Sequence, residues 1–482
     1  MRCRTATPSA GAPLLRADAR VAKGFVKLGG GEALARAIGF AATAYLARRL
    51  GAEAYGVIVL ALAVMSYVGR LSDLGLDMLG VHDVAHERDQ LPTLIPRYLG
   101  ARLLVAGGLI AAIVVAGLFV MPQPEGAVLA AMCFVLAPIA LGTKWVHLGL
   151  EQPGMAAAAR STQEILAALL LVATVNGPAD LARVPIAQII GEGVGAYILL
   201  RALPRTTVSL RQMLSVDVVR TLYHRSWPLV LSSLLGLVIF NSDFFFLRFF
   251  RDSATLGIYA VAYLLIAFFV NLGHSYSMSL LPAITRLKRE PDAERKLYHN
   301  ALAQVFAGSF PVAVGGCLVA SQLIPVVFGP QYAAAAGPLQ ILIWSIPIAL
   351  TRHVAQTVMV AHAAQKRMLA HAATAAGTNV ALNLVLIPLW GMRGAALVTV
   401  LTEAVRVIPM LRDLQRAGLP MAPAARFVRV MAAGGVMALT LALCGFRNLW
   451  LAVATGAVVY PVALYFFGGI RLRGAASPEL SV

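Results

Sequence analysis

Between Gly24 and Arg471 the chain is divided into about fourteen apolar stretches of roughly twenty residues each, and lysine and arginine crowd every second connecting segment. A helix of that length crosses the hydrocarbon core of a bilayer, and backbone groups in lipid must find their partners within the segment, so helices are imposed. The stretches predict helices near 26–47, 54–77, 98–120, 125–147, 155–175, 183–203, 226–249, 255–281, 298–320, 335–362, 367–390, 391–412, 427–446 and 448–470. Glycine and proline mark the turns between them, as in Met121-Pro122-Gln123-Pro124, Asn176-Gly177-Pro178 and Phe328-Gly329-Pro330. With 59% hydrophobic and only 13% charged residues, the chain carries more apolar surface than a soluble core hides. The predicted fold is an all-α integral membrane protein with about fourteen transmembrane helices.

A net charge of +18 would ordinarily point to nucleic acid, but here the cations report topology. If the N-terminus is cytoplasmic, that side carries 27 of the 40 lysines and arginines, the other side carries 7, and six lie within spans. The positive-inside rule then places both termini in the cytoplasm and removes nucleic acid as a partner. Residues 1–23 lack the apolar core of a cleavable signal and read as a disordered cytoplasmic tail, with a second short tail at 471–482. Cys3, Cys133, Cys317 and Cys444 are isolated and build neither a zinc site nor a disulfide framework. The predicted external loops are short, which leaves no room there for a catalytic domain.

The chain repeats itself weakly. An offset of 201 sets Ala54-Tyr55-Gly56-Val57 against Thr255-Leu256-Gly257-Ile258, each opening a helix after a short polar loop. This divides the chain into a six-helix lobe at 24–203, a cytoplasmic linker at 204–225, a second six-helix lobe at 226–416 and two further helices within 417–470. Parallel halves related by an axis along the membrane normal are a transporter architecture, with the substrate path between them.

Four segments carry a resemblance to a known family. They are Leu50-Gly51-Ala52-Glu53-Ala54-Tyr55-Gly56, Gly257-Ile258-Tyr259-Ala260-Val261-Ala262, Phe328-Gly329-Pro330-Gln331-Tyr332 and Ile387-Pro388-Leu389-Trp390-Gly391-Met392-Arg393-Gly394-Ala395-Ala396. In order and spacing they resemble the polysaccharide-type flippases of the multidrug, oligosaccharidyl-lipid and polysaccharide exporter superfamily. The resemblance implies two pseudo-symmetric lobes around a central cavity. It also implies alternating-access transport of an undecaprenyl-diphosphate-linked oligosaccharide across a bacterial inner membrane, for surface polysaccharide such as lipopolysaccharide or exopolysaccharide. Membrane lipids, a polysaccharide polymerase and chain-length machinery are the partners it implies. The family has no fixed catalytic set to transfer, so site residues are argued from charge and depth.

Ionisable side chains inside spans are costly and usually face a cavity or a partner. Glu32 and Arg36 stand at i,i+4 in the first helix, Arg70 and Asp73 at i,i+3 in the second, and Glu403 and Arg406 at i,i+3 in the twelfth. Arg352 has no acid three or four residues away, while Arg102 is near enough to the interface to snorkel. Arg36, Arg70, Arg352 and Arg406 are the candidate substrate-binding cations, because the guanidinium fork grips phosphate oxygens in pairs and keeps its charge at low dielectric. The plainer reading is that each pair neutralises itself for insertion. Glu32, Asp73, Glu164, Glu192 and Glu403 are the candidates for ion coupling, Glu192 standing among small residues in Gly191-Glu192-Gly193-Val194-Gly195.

His82 and His86 have helical spacing but no further ligand, so no metal is expected. Gly29-Gly30-Gly31 lacks the Lys-Ser/Thr of a phosphate loop, no nucleophile and base stand together, and no cofactor is expected. Three functions remain open. They are a lipid-linked oligosaccharide flippase, an ion-coupled multidrug exporter of the same superfamily, and an integral membrane polymerase. The intramembrane arginines argue against cationic drugs, and no catalytic loop supports the polymerase.

Overall fold

The computed structural model describes the backbone of residues 11–73, 75–203, 216–445, 448–469, 471–473 and 477–479. Within these, side chains are described from Ala37 onward, apart from 216–218, 225–229, 232–233 and the residues after 469. Helix α1 (Gly11–Asp73) is broken at Gly51, whose φ of 77° is open to glycine without a Cβ clash, so its two arms make two crossings. It begins inside the segment expected to be a disordered tail. The reason is compositional: Pro13 sits in the first turn, where proline is tolerated, and Leu14 to Ala22 are mostly strong helix formers.

Helix α2 (Leu76–His86) lies along the end of the second crossing, and α3 (Leu91–Phe119) returns through the bundle. The fourth crossing, Glu125–Gly149, is assembled from α4 (Glu125–Met132), a tight turn at Cys133–Val135, α5 (Leu136–Leu141) and α6 (Lys144–Gly149). Helices α7 (Pro153–Thr174) and α8 (Arg183–Arg201) complete the first half. The expected linker 204–225 lies in part outside the described residues, and α9 (Val216–Phe250) already begins within it. Then follow α10 (Ser253–Leu287), α11 (Pro291–Phe328), α12 (Ala336–Leu342), α13 (Ser345–Ala361), α14 (Gln365–Trp390) and α15 (Met392–Arg416), with α16 (Ala424–Cys444) and α17 (Leu449–Phe466) last. The only strands among the described residues are Arg471–Arg473 and Ser477–Glu479, paired beyond α17.

Eleven helices among the described residues are long and apolar enough to cross a membrane, or twelve when Pro330–Leu342 and Ser345–Ala361, bent by 47°, count as one span. One of the eleven, Ala37–His86, holds both arms of α1, and the 35-residue α9 covers a further apolar stretch. Every apolar stretch of the sequence therefore finds a helix, and the chain is a multi-pass membrane protein.

The halves share a core where α1 meets α10. Leu46, Leu50, Tyr55 and Ile58 pack there with Leu256, Tyr259 and Val261, and Tyr332 joins them. Helices α16 and α17 pack outside this on α11, through Val430, Ala433 and Met437 against Ala303, Ala307 and Val319. Helix α10 is started by Asp252, whose carboxylate accepts the Thr255 backbone N–H at 2.7 Å, and that bond holds the carboxyl below the usual aspartate range. Asp252→Ala should therefore cost about 1 kcal/mol at neutral pH. Because the folded carboxyl is the stronger acid, the contribution is present above the unfolded pKa and fades as pH falls through the folded one. Thermal unfolding in detergent should show variant and parent converging in acid.

Candidate functional site

The second half holds a buried cluster of charges whose pairing differs from the expected one. Arg352 of α13 is 1% exposed, and its Nε donates to Glu403 of α15 at 2.6 Å. Its Nη1 donates to Gln356 at 3.0 Å and its Nη2 to His353 Nε2 at 2.9 Å. Arg352 is thus not the free cavity cation its local sequence suggests. Nor does Glu403 pair with Arg406 three residues on. A fully enclosed guanidinium has no water to turn to, so the nearest carboxylate goes to the arginine that needs it most. Arg406, 9% exposed, is left with Nε and Nη1 buried and without hydrogen-bond partners among the described residues.

A similar exchange occurs in the first half. Arg102 of α3 does not snorkel: it is 3% exposed and reaches Asp77 at 3.1 Å and Asp73 at 3.5 Å. It also donates to the carbonyls of Gly142 and Ile139, so one side chain ties α1, α2 and α3 to the broken fourth crossing. Asp73 is paired with Arg102 rather than with Arg70, which is exposed and forms no ion pair among the described residues. Arg70 lines a cavity of about 390 Å³ within the first half, together with Asp73, Asp77, Lys144, Arg160, Gln163 and Glu192. Glu192 of α8 accepts from Gln163 and has no ion-pair partner among the described residues, whereas Glu164 is paired with Arg160 one turn away at 2.8 Å. Close approach of α7 and α8 allows this, since a Cβ on Gly191 would lie 2.9 Å from that of Ala167. The side chains of Glu32 and Arg36 lie outside the described residues.

One polar group was not anticipated. Asp243 of α9, 3% exposed, accepts the Tyr259 hydroxyl at 2.6 Å and the Phe244 N–H at 3.1 Å, with no ion-pair partner among the described residues. Its neighbour Ser242 donates to Asn379, which donates to Thr402 at 3.1 Å. Asn383 donates to both Ser242 and Asn379, while its own side-chain oxygen has no partner among the described residues. A search by charge passes over the asparagines. The available signal was Asn379 and Asn383 at i,i+4 in the apolar second half of their helix.

Residues 21–288, more than half of the chain, match the family described as polysaccharide biosynthesis protein. Over 204 residues the chain is 26% identical to the probable flippase AglR of Haloferax volcanii, a match covering 41% of this chain and 43% of that protein. The chain therefore spans less than half the length of that relative. Among solved structures, the lipid II flippase MurJ in its inward closed conformation superposes with a TM-score of 0.76 at 12% identity, covering 92% of this chain and 98% of that one. An inward-facing multidrug resistance MATE family transporter of the MOP superfamily gives 0.65 at 12% identity, covering 80% and 95%. These two likenesses are likenesses of fold, to an all-helical transporter bundle. The chain belongs to the polysaccharide biosynthesis protein family.

Proposed function

We propose that the chain is a flippase that moves a lipid-linked oligosaccharide across a bacterial inner membrane by alternating access, for surface polysaccharide synthesis. The observation that carries the reading is Arg406, a buried guanidinium whose Nε and Nη1 have no hydrogen-bond partner among the described residues. An unpaired cation in a low-dielectric interior is expensive, and an arriving diphosphate supplies both the charge and the oxygens it lacks. On the first half, Arg70 stands exposed in the polar cavity without an ion-pair partner among the described residues, a second cation for the same kind of headgroup. The names of MurJ and AglR as flippases agree with it. Coupling falls to carboxylates without an ion-pair partner among the described residues, namely Glu192 and Asp243, rather than to Asp73, Glu164 and Glu403, which are spent in ion pairs. Cytoplasmic termini and the two six-helix lobes with their linker belong to the same proposal.

Deletion tests it. Loss of the gene should remove a surface glycan and accumulate its lipid-linked precursor on the cytoplasmic leaflet, where a membrane-impermeant lectin fails to reach it in intact spheroplasts. Normal surface glycan together with new drug sensitivity would instead support the multidrug reading.

A further inference from the structure

Gly56 and Gly257 stand 201 residues apart, the offset at which the two halves repeat, and in the fold they touch. A Cβ on Gly56 would lie 1.8 Å from the Ser253 carbonyl oxygen and 3.0 Å from the Gly257 nitrogen. A Cβ on Gly257 would lie 1.9 Å from the Ala52 carbonyl oxygen and 3.0 Å from the Gly56 nitrogen. Ala52 and Ser253 are separated by the same offset, so each glycine rests on the counterpart of the carbonyl that its partner rests on. This is a self-complementary contact within one chain, of the kind a two-fold axis makes between subunits. Backbones this close leave room for Cα–H···O contacts and for nothing larger than hydrogen.

The clasp lies at the end of the first arm of α1 remote from Gly11, and a charged hook stands next to it. Glu125 opens α4 in the first half and is 8% exposed. Its Oε1 accepts the Ser253 hydroxyl at 2.9 Å, Arg248 Nη2 at 2.8 Å and Arg248 Nε at 3.2 Å, all from the second half. Ser253 therefore serves both devices, its carbonyl against Gly56 and its hydroxyl on Glu125.

We propose that the Gly56–Gly257 contact, fastened by Glu125 to Arg248 and Ser253, is the gate that closes the molecule at this end, and that it parts when the halves swing to open there. The closed form needs both glycines, because even a methyl group collides with backbone rather than with a movable side chain. The hook makes closure specific, since a buried carboxylate accepting three hydrogen bonds across the seam leaves them all at once. The proposal rests on the transport reading only for what the gate admits. Its position is measured without substrate.

Spin labels on Glu53→Cys and Phe249→Cys, both exposed and one in each half, report the separation by electron–electron resonance. The full chain would be used in lipid nanodiscs, with its native cysteines replaced. The parent should give a dominant short distance, and Gly56→Ala and Gly257→Ala should each move most of that population to a longer one. Glu125→Gln should give an intermediate mixture. Gly154→Ala, where a Cβ meets nothing within 4 Å, should leave the parent distribution. Unchanged distances in both gate alanines overturn the proposal, as does an equal shift in Gly154→Ala. If neither gate alanine accumulates, Glu125→Gln decides, and a parental distribution there overturns it.

Discussion

Replacing Glu403 with alanine should destabilise the protein by about 3–5 kcal/mol, and more than replacing Arg352 does. The order follows from what each change leaves behind. Without Glu403, Arg352 at 1% exposure becomes a buried cation with no carboxylate among the described residues, beside Arg406 at 9%. Without Arg352, Glu403 still has Arg406 three residues along the same helix, a spacing at which the two side chains can meet, so part of the loss is recovered. A joint replacement, Arg352→Met with Glu403→Leu, should lie closer to the parent than Glu403→Ala, since apolar groups of similar size remove the desolvation cost from both sides. Thermal unfolding of the parent, the two single variants and the joint variant in detergent gives the order of their stabilities. Equal losses in the two single variants, or a larger loss for Arg352→Ala, would show that Arg406 does not take over Glu403.

The helices were legible because hydropathy acts residue by residue along the chain, and lipid gives the backbone no alternative partner. Even the break at Gly51 stands where two apolar stretches abut across the short polar Gly51-Ala52-Glu53. The repeat was legible too, although its strongest mark, Gly56 against Gly257, acquires a meaning only when the two glycines are seen to touch. The pairing of charges was not legible, and for a single reason. Spacing along one helix shows which side chains can meet, whereas burial decides which of them must. Arg352 takes Glu403 from a helix 51 residues away, and Arg102 takes Asp73 and Asp77, which leaves Arg70 and Arg406 without an ion-pair partner among the described residues. Asp243 went unremarked since its partners are Tyr259 and its own neighbour's backbone rather than a charge.

Arg406→Ala should abolish or strongly slow flipping while leaving the folded protein as stable as the parent, or more so. Glu403 remains satisfied by Arg352, so the change strands no acid, and removing an unpaired buried cation lowers the cost of placing α15 in the membrane. Two charge-assisted hydrogen bonds to a diphosphate, at roughly 1.5–3 kcal/mol each, correspond to a loss of substrate affinity of about a hundredfold or more. Arg406→Lys should be intermediate, since it restores the charge without the planar fork. Arg70→Ala should give a smaller defect of the same kind, because that side chain is exposed and water screens it. Reconstituted vesicles carrying a fluorescent lipid-diphosphate oligosaccharide give the rate, and unfolding temperatures on the same preparations separate binding from structure. Parental flipping by a stably folded Arg406→Ala would remove the cation from the substrate path. A loss of stability matching that of Glu403→Ala would instead make Arg406 part of the buried charge cluster, balancing Glu403 alongside Arg352.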